Sequence, residues 1–192
     1  HAPIRLDHLA RSVVALMEPA YVGKGVGLKT DLGLEPATVL GDTEQLRQVL
    51  VNLLTNSLAA TAAGGQVVLM VGRRAATLAE LDERRRAGAP LRDAMVTLTV
   101  RDTGCGMPEE HVKQAFEPFF TTKAMTQGSG LGLTVVQDVA RDHGGHVTLS
   151  SAPGVGTGVR LYLPACLRQE EGGEGGRGIG SPAPRQPAPD EA

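Results

Sequence analysis

Residues 42–61 read DTEQLRQVLVNLLTNSLAAT, and two stripes run through them at once. Leu46, Val49, Leu50, Leu53, Leu54, Ser57 and Leu58 recur at spacings of three and four, which predicts a helix with a broad buried arc. Gln48, Asn52 and Asn56 recur every four residues and lay a line of amides along the border of that arc. Asp42, with Gln45 three residues on, reads as the N-cap of this helix in the manner of a capping box, and Gly64 with Gly65 as its stop. Such a helix buries one edge and offers the next to a site.

Working outward, residues 66–72 and 94–101 are Val-rich runs that read as two strands paired with each other. Between them lies an insertion, about 73–93, where Glu80 with Arg84 and Asp82 with Arg86 stand four apart and predict a short exposed helix. Upstream, residues 4–18 place Leu6, Leu9, Val13, Leu16 and Met17 at helical spacing, and Pro19 is expected to bend or end that helix. Residues 25–32 alternate as a strand, with 38–40 as a second short run expected to pair with it. Downstream, a glycine-rich region fills 104–130, and a helix runs from 131 to about 143, where Gly144 and Gly145 stop it. Strands at 146–151 and 157–163 follow, separated by a Pro-Gly-Val-Gly turn. This order predicts an α/β sandwich with about three helices packed on one face of a mixed β-sheet. One domain is expected over 1–165. The Gly/Pro/Glu-rich tail at 166–192 is expected to be disordered, because it has little apolar surface to offset the entropy of ordering.

Composition narrows the function. The 192 residues are 41% hydrophobic and 21% charged with net charge −2, an ordinary globular balance that gives no electrostatic reason for nucleic-acid binding. Aromatic residues make up 3% with no Trp, which argues against base-stacking platforms. Cys105 and Cys166 lie far apart without metal-ligand spacing, so neither a disulfide framework nor a zinc site is expected, and a reducing, cytoplasmic setting fits. There is no apolar run of membrane-spanning length and no signal-peptide pattern. The chain begins at His1, so we expect a fragment of a longer protein, with membrane attachment of the parent left open.

Four clusters carry candidate chemistry. Asn52 and Asn56 sit one helical turn apart, and an amide oxygen is a hard, neutral ligand suited to Mg²⁺; on their own they also read as surface or hydrogen-bonded residues. Residues 100–107, VRDTGCGM, run a strand into Asp102 and then alternate glycines. A carboxylate there needs a donor such as an adenine amino group, and Gly104 with Gly106 lets backbone approach a flat base; a tight turn capped by Asp is the alternative. Residues 128–133, GSGLGL, open a helix, where exposed N–H groups and the helix dipole favour polyphosphate, although one such run is weak evidence. Residues 116–123, FEPFFTTK, use all three Phe of the chain as anchors for a movable lid from which Lys123 reaches a terminal phosphate; a hydrophobic plug under a loop is the alternative.

Taken together and in this order, these motifs resemble the ATP-binding catalytic domain of sensor histidine kinases. Residues 42–61 resemble the family's N box, DTGCGMP its first glycine box, FEPFFTTK its F box, GSGLGLTVVQDVARDHGG its second glycine box and GVGTGVRLYLP its closing strand. The resemblance covers roughly residues 4–164 and implies the fold shared with gyrase-type and heat-shock chaperone ATPases. It implies ATP and Mg²⁺ as cofactors, Asn56 as the metal ligand with Asn52 supporting it, and Asp102 as acceptor of the adenine amino group, helped by Thr157 through water. Gly104 and Gly106 would shape the base pocket. Gly128, Ser129, Gly130, Leu131 and Gly132 would cradle the phosphates under a lid carrying Lys123. Many relatives have Lys where this chain has Ala59, which puts a phosphate contact from that helix in doubt and shifts weight to Lys123.

In the ATP-hydrolysing branches a Glu one turn before the metal-binding Asn activates water. This chain has Asn52 there, and a neutral amide is no general base, so kinase is expected over ATPase. Asn52 and Lys123 are therefore the candidate catalytic residues. None of His1, His8, His111, His143 and His146 matches the family's acceptor context. The acceptor is expected on a missing dimerisation domain acting in trans, with a response regulator receiver domain as second partner. The isolated domain is expected to be monomeric and its parent a homodimer. A nucleotide-binding regulatory module without transfer activity and an anti-sigma-factor-type serine kinase stand as alternatives.

Overall fold

The computed structural model describes residues 2–89, 92–120 and 131–166. In chain order these form β1 (Ala2–Arg5), α1 (Leu6–Lys24), β2 (Gly27–Asp31), β3 (Thr38–Gly41), α2 (Thr43–Ala60), β4 (Gln66–Ala75), α3 (Leu78–Arg86), β5 (Ala94–Asp102), α4 (Glu109–Gln114), α5 (Gly132–Asp142), β6 (His146–Ala152) and β7 (Gly156–Pro164). One mixed sheet has the order β2-β4-β5-β7-β6, with β2 parallel to β4 and the other pairs antiparallel. A two-stranded antiparallel ribbon joins β1 to β3.

Strand alternation sets the layers. Val67, Leu69 and Val71 of β4, Val96, Leu98 and Val100 of β5, and Val159, Leu161 and Leu163 of β7 are buried on one face. They share a core with Leu46, Val49, Leu50, Leu53 and Leu54 of α2, Leu9 and Val13 of α1, and Val136 and Val139 of α5. The expected α/β sandwich of three helices on one face of a mixed sheet is thus what the chain forms. The predicted α2 arc is buried from Leu46 to Ser57, while Leu58 is only partly covered.

Asp42 caps α2 as expected, its Oδ1 accepting the N–H groups of Glu44 and Gln45 at 2.8 and 3.1 Å. Those two bonds hold its carboxyl below the usual range. Where the sequence suggested that Gln45 would reach back to Asp42, the backbone N–H of Asp42 instead donates to His143 Nε2 at 3.1 Å. His143 Nδ1 lies 2.8 Å from the Val139 carbonyl, so the start of α2 is tied to the end of α5 through one imidazole.

Three expectations need correction. Pro19 does not end α1, which runs on to Lys24 and stops at Gly25 in the left-handed conformation with φ 70°. Tertiary bonds hold that last turn: Tyr21, 1% exposed, donates its hydroxyl to the Leu54 carbonyl at 2.8 Å, and Lys24 Nζ donates to the Leu58 and Ala59 carbonyls. β3 does not pair with β2; it pairs with β1, while β2 lies parallel along β4 with Leu28 opposite Val67. The insertion begins later than expected, because β4 continues through Arg73–Ala75 opposite Val96–Ala94. Its helix α3 is held from outside rather than by the two expected pairs. Glu80 joins Arg74 of β4 through two bonds of 2.6 and 2.9 Å, and Asp82 lies 3.8 Å from Arg85. Among the described residues no helix is long and apolar enough to cross a membrane.

Candidate functional site

The site lies where the end of β5, the polar border of α2 and the start of α5 meet. Asp102 closes β5 and is 5% exposed. Its Oδ1 accepts the backbone N–H groups of Gly104 at 2.9 Å and Thr157 at 3.1 Å, and its Oδ2 accepts the Ser57 hydroxyl at 3.0 Å. A carboxylate has about four lone-pair sites, so three donors from the described residues leave one position for a further donor. The charge is felt locally: burial, with Asp102 adding to it, pushes the Tyr21 hydroxyl above its ordinary range and keeps it a donor.

Two glycines allow the loop after Asp102 to fold back. A Cβ at Gly104 would sit 2.6 Å from the Ala60 carbonyl oxygen and 2.9 Å from Asp102 Oδ1. Gly106 has φ 66°, and a Cβ there would collide with the Ala152 carbonyl. The sequence predicts close approach by a base at these glycines; the close approaches the structure shows are to the Ala60 and Ala152 carbonyls and to the Asp102 carboxylate. The loop is stitched further by Cys105 N–H to the Ala60 carbonyl, Gly154 N–H to the Cys105 carbonyl, and Met107 N–H to Ser151 Oγ.

Asn52 and Asn56, both partly buried, project from α2 toward α5. Asn52 Nδ2 donates to the Gly132 carbonyl at 3.4 Å, and a Cβ at Gly132 would lie 3.2 Å from Asn56 Nδ2. Gly132 is the first residue of α5, preceded by the exposed Leu131. The amide stripe and the start of the second glycine segment therefore meet, while Asp102 joins α2 one residue beyond Asn56 through Ser57. Thr157 is close as expected, but through its N–H; its hydroxyl lies 2.8 Å from Ser151 Oγ.

Lys123, Gly128, Ser129 and Gly130 lie outside the described residues. Of the three expected aromatic anchors, Phe120 meets His111 edge-on with ring centroids 5.6 Å apart, and the Phe116 carbonyl accepts the Thr134 hydroxyl at 3.4 Å. Phe119 is instead 73% exposed, with φ 67°. The sequence reading missed Ser57 and Ser151 as members of the site. Ser57 gave a usable signal, because a hydroxyl inside an arc predicted to be buried must find an acceptor.

Helices on one face of a mixed sheet, with a carboxylate at a strand end and two amides facing a helix N-terminus, define an α/β sandwich with a polar cluster where α2 meets the end of β5 and the start of α5. The profile described as histidine kinase-, DNA gyrase B-, and HSP90-like ATPase matches residues 41–166, and the chain belongs to that family. It is 37% identical over 150 residues to the sensor kinase CckA of Brucella abortus (strain 2308), covering 78% of this chain and 15% of that protein's length. The catalytic domain of histidine kinase ThkA superposes with a TM-score of 0.67 at 27% identity, covering 85% of this chain and 95% of that one. Full-length ShkA, solved in complex with AMPPNP, superposes with a TM-score of 0.65 at 29% identity, covering 85% of this chain and 31% of that one.

Proposed function

We propose that this chain binds ATP with Mg²⁺ and donates the γ-phosphate to a histidine on a dimerisation domain in trans, as the catalytic part of a cytoplasmic two-component kinase. The observation that carries this reading is the convergence of Asn52 and Asn56 on Gly132, with Asp102 joined to the same helix through Ser57. ATP follows from the family, and the full-length ShkA complex with AMPPNP supports it.

The remaining acceptor position of Asp102 would take the adenine 6-amino group, while Gly104 and Gly106 keep the loop narrow beside it. The donor chemistry fits Mg²⁺: Asn56 offers a hard, neutral amide oxygen, and Mg²⁺ takes few protein ligands beside phosphate oxygens and water. When bound, the metal supplies charge neutralisation on the phosphates. Asn52 holds the start of α5 toward the pocket, and the first-turn N–H groups of α5 near Leu131 and Gly132 would meet phosphate oxygens together with Gly128, Ser129 and Gly130. Lys123 would add a point charge at the γ-phosphate. Because Asn52 replaces a basic carboxylate, water is not deprotonated, and the phosphoryl group awaits a protein nucleophile. The response regulator would then take the phosphoryl group from the acceptor histidine.

The test mixes the chain with a separately made acceptor-helix dimerisation domain and radiolabelled ATP. Acid-labile, base-stable label on the acceptor domain is expected. Acid-stable label on serine, or ATP binding without transfer, would overturn the histidine kinase reading.

A further inference from the structure

The sheet has a second face, and no residue of the nucleotide pocket lies on it. Register places Arg101, Gly158 and Ser150 side by side in one row, and Met70, Thr99, Arg160 and Thr148 in the next. Each of the first three is the immediate neighbour of a residue on the pocket side, Asp102, Thr157 and Ser151. Successive residues of a strand point to opposite faces, so the two sites stand back to back across one sheet.

These seven residues line a depression of about 240 Å³. Gly158 opens it, since a Cβ there would lie 3.2 Å from Ser150 Oγ and 3.8 Å from Arg101 Cγ. Arg101 and Arg160 are both exposed, and among the described residues neither has a carboxylate partner. Arg160 is held in place by donation from Nε to Thr99 Oγ1 at 3.0 Å, which leaves its terminal N–H groups and the Thr99 hydroxyl proton available. Thr148 and Ser150 add two exposed hydroxyls. Asp31 ends the same row beyond Met70 but is bonded to neither guanidinium, so two guanidiniums beside three hydroxyls form a concentration of donors with no carboxylate bonded to them among the described residues.

We propose that Arg101, Arg160, Thr99, Thr148 and Ser150 form, around Gly158, a binding site for a phosphate-type dianion on the sheet face opposite the nucleotide pocket. Two positive charges match a dianion better than a single carboxylate, and the donors outnumber what two carboxylate oxygens can use. The volume admits one such anion with several waters of about 30 Å³ each. The site does not depend on the nucleotide reading.

The test follows backbone amide shifts of the chain during titration with inorganic phosphate at constant ionic strength, with acetate as comparator. Saturable shifts at Arg101, Ser150 and Gly158 with a half-point of about 1–10 mM are expected, unchanged by saturating AMPPNP with Mg²⁺. Arg101→Gln should weaken the response about tenfold, and Gly158→Ala, which crowds the depression between Ser150 and Arg101, should weaken it in the same direction. Amide dispersion matching the unsubstituted chain shows that both variants are folded. Shifts confined to Asn52, Asn56 and Gly132, loss of the response with AMPPNP, an equal response to acetate, or variants that titrate like the unsubstituted chain would each overturn the proposal.

Discussion

Asp102→Asn separates recognition from folding. Asparagine can keep its Oδ1 toward the N–H groups of Gly104 and Thr157 and turn its Nδ2 to Ser57, whose hydroxyl then accepts instead of donating. The position left for the base would then face a donor, so AMPPNP affinity should fall about ten- to a hundredfold in calorimetry while the urea midpoint moves little. Unchanged affinity would remove Asp102 from the base site. Ser57→Ala does the reverse, taking a donor from a buried carboxylate. It should lower stability by about 1.5–3 kcal/mol in urea, and no loss would mean that the bond to Asp102 contributes nothing. Asn56→Ala should leave nucleotide binding insensitive to Mg²⁺; a variant that still responds normally would move the metal ligand elsewhere. Asn52, Asn56 and Asp102 could be singled out as candidates because each sits in a short pattern with a mechanical meaning, and the fold brings all three to α2 and its neighbours. Ser57 was not read as a site residue, since its acceptor lies 45 residues on and no local spacing encodes that pairing.

At the scale of elements, α3 shows how a correct element can be read for the wrong reason. Acid-first spacing predicted the helix, yet Glu80 is taken by Arg74 from the neighbouring strand and by the Thr77 N–H at 2.7 Å. Chiefly through the bond to Arg74, the Glu80 carboxyl is lowered from 4.5 to about 2. A group depressed in the folded state stabilises fully above its unfolded value and loses that contribution as pH falls through its folded value. The ion pair should therefore contribute above pH 4.5 and fade toward pH 2. Glu80→Gln should flatten the pH dependence of stability in that window; an unchanged acid limb would place the dependence in other carboxyls. Long elements such as α2, β4 and β5 were legible because their periodicity repeats several times. The four-residue β1, with only Ile4 buried, repeats nothing, and the partner of β3 followed from a strand that the reading did not contain. Pro19 misled because the contacts of Tyr21 and Lys24 outweigh the backbone bond that proline removes.

At the scale of the molecule, one sheet separates two environments. The face covered by α1, α2 and α5 holds the core and, at the Asp102 end, the candidate site; the other face carries Lys29, Asp31, Arg101 and Arg160. The sandwich was legible from the order of elements, but the back-to-back arrangement depends on strand register, which sequence periodicity alone does not supply. The central claim is that α2, the end of β5 and the start of α5 form a single nucleotide pocket, and a titration of AMPPNP with Mg²⁺ followed by backbone amide shifts tests it most directly. The account predicts that Asn52, Asn56, Gly104, Gly132 and Thr157 move together along one binding curve. It is contradicted if those amides stay still at saturation, or if the α2 and α5 residues respond with a midpoint different from that of the loop beside Asp102.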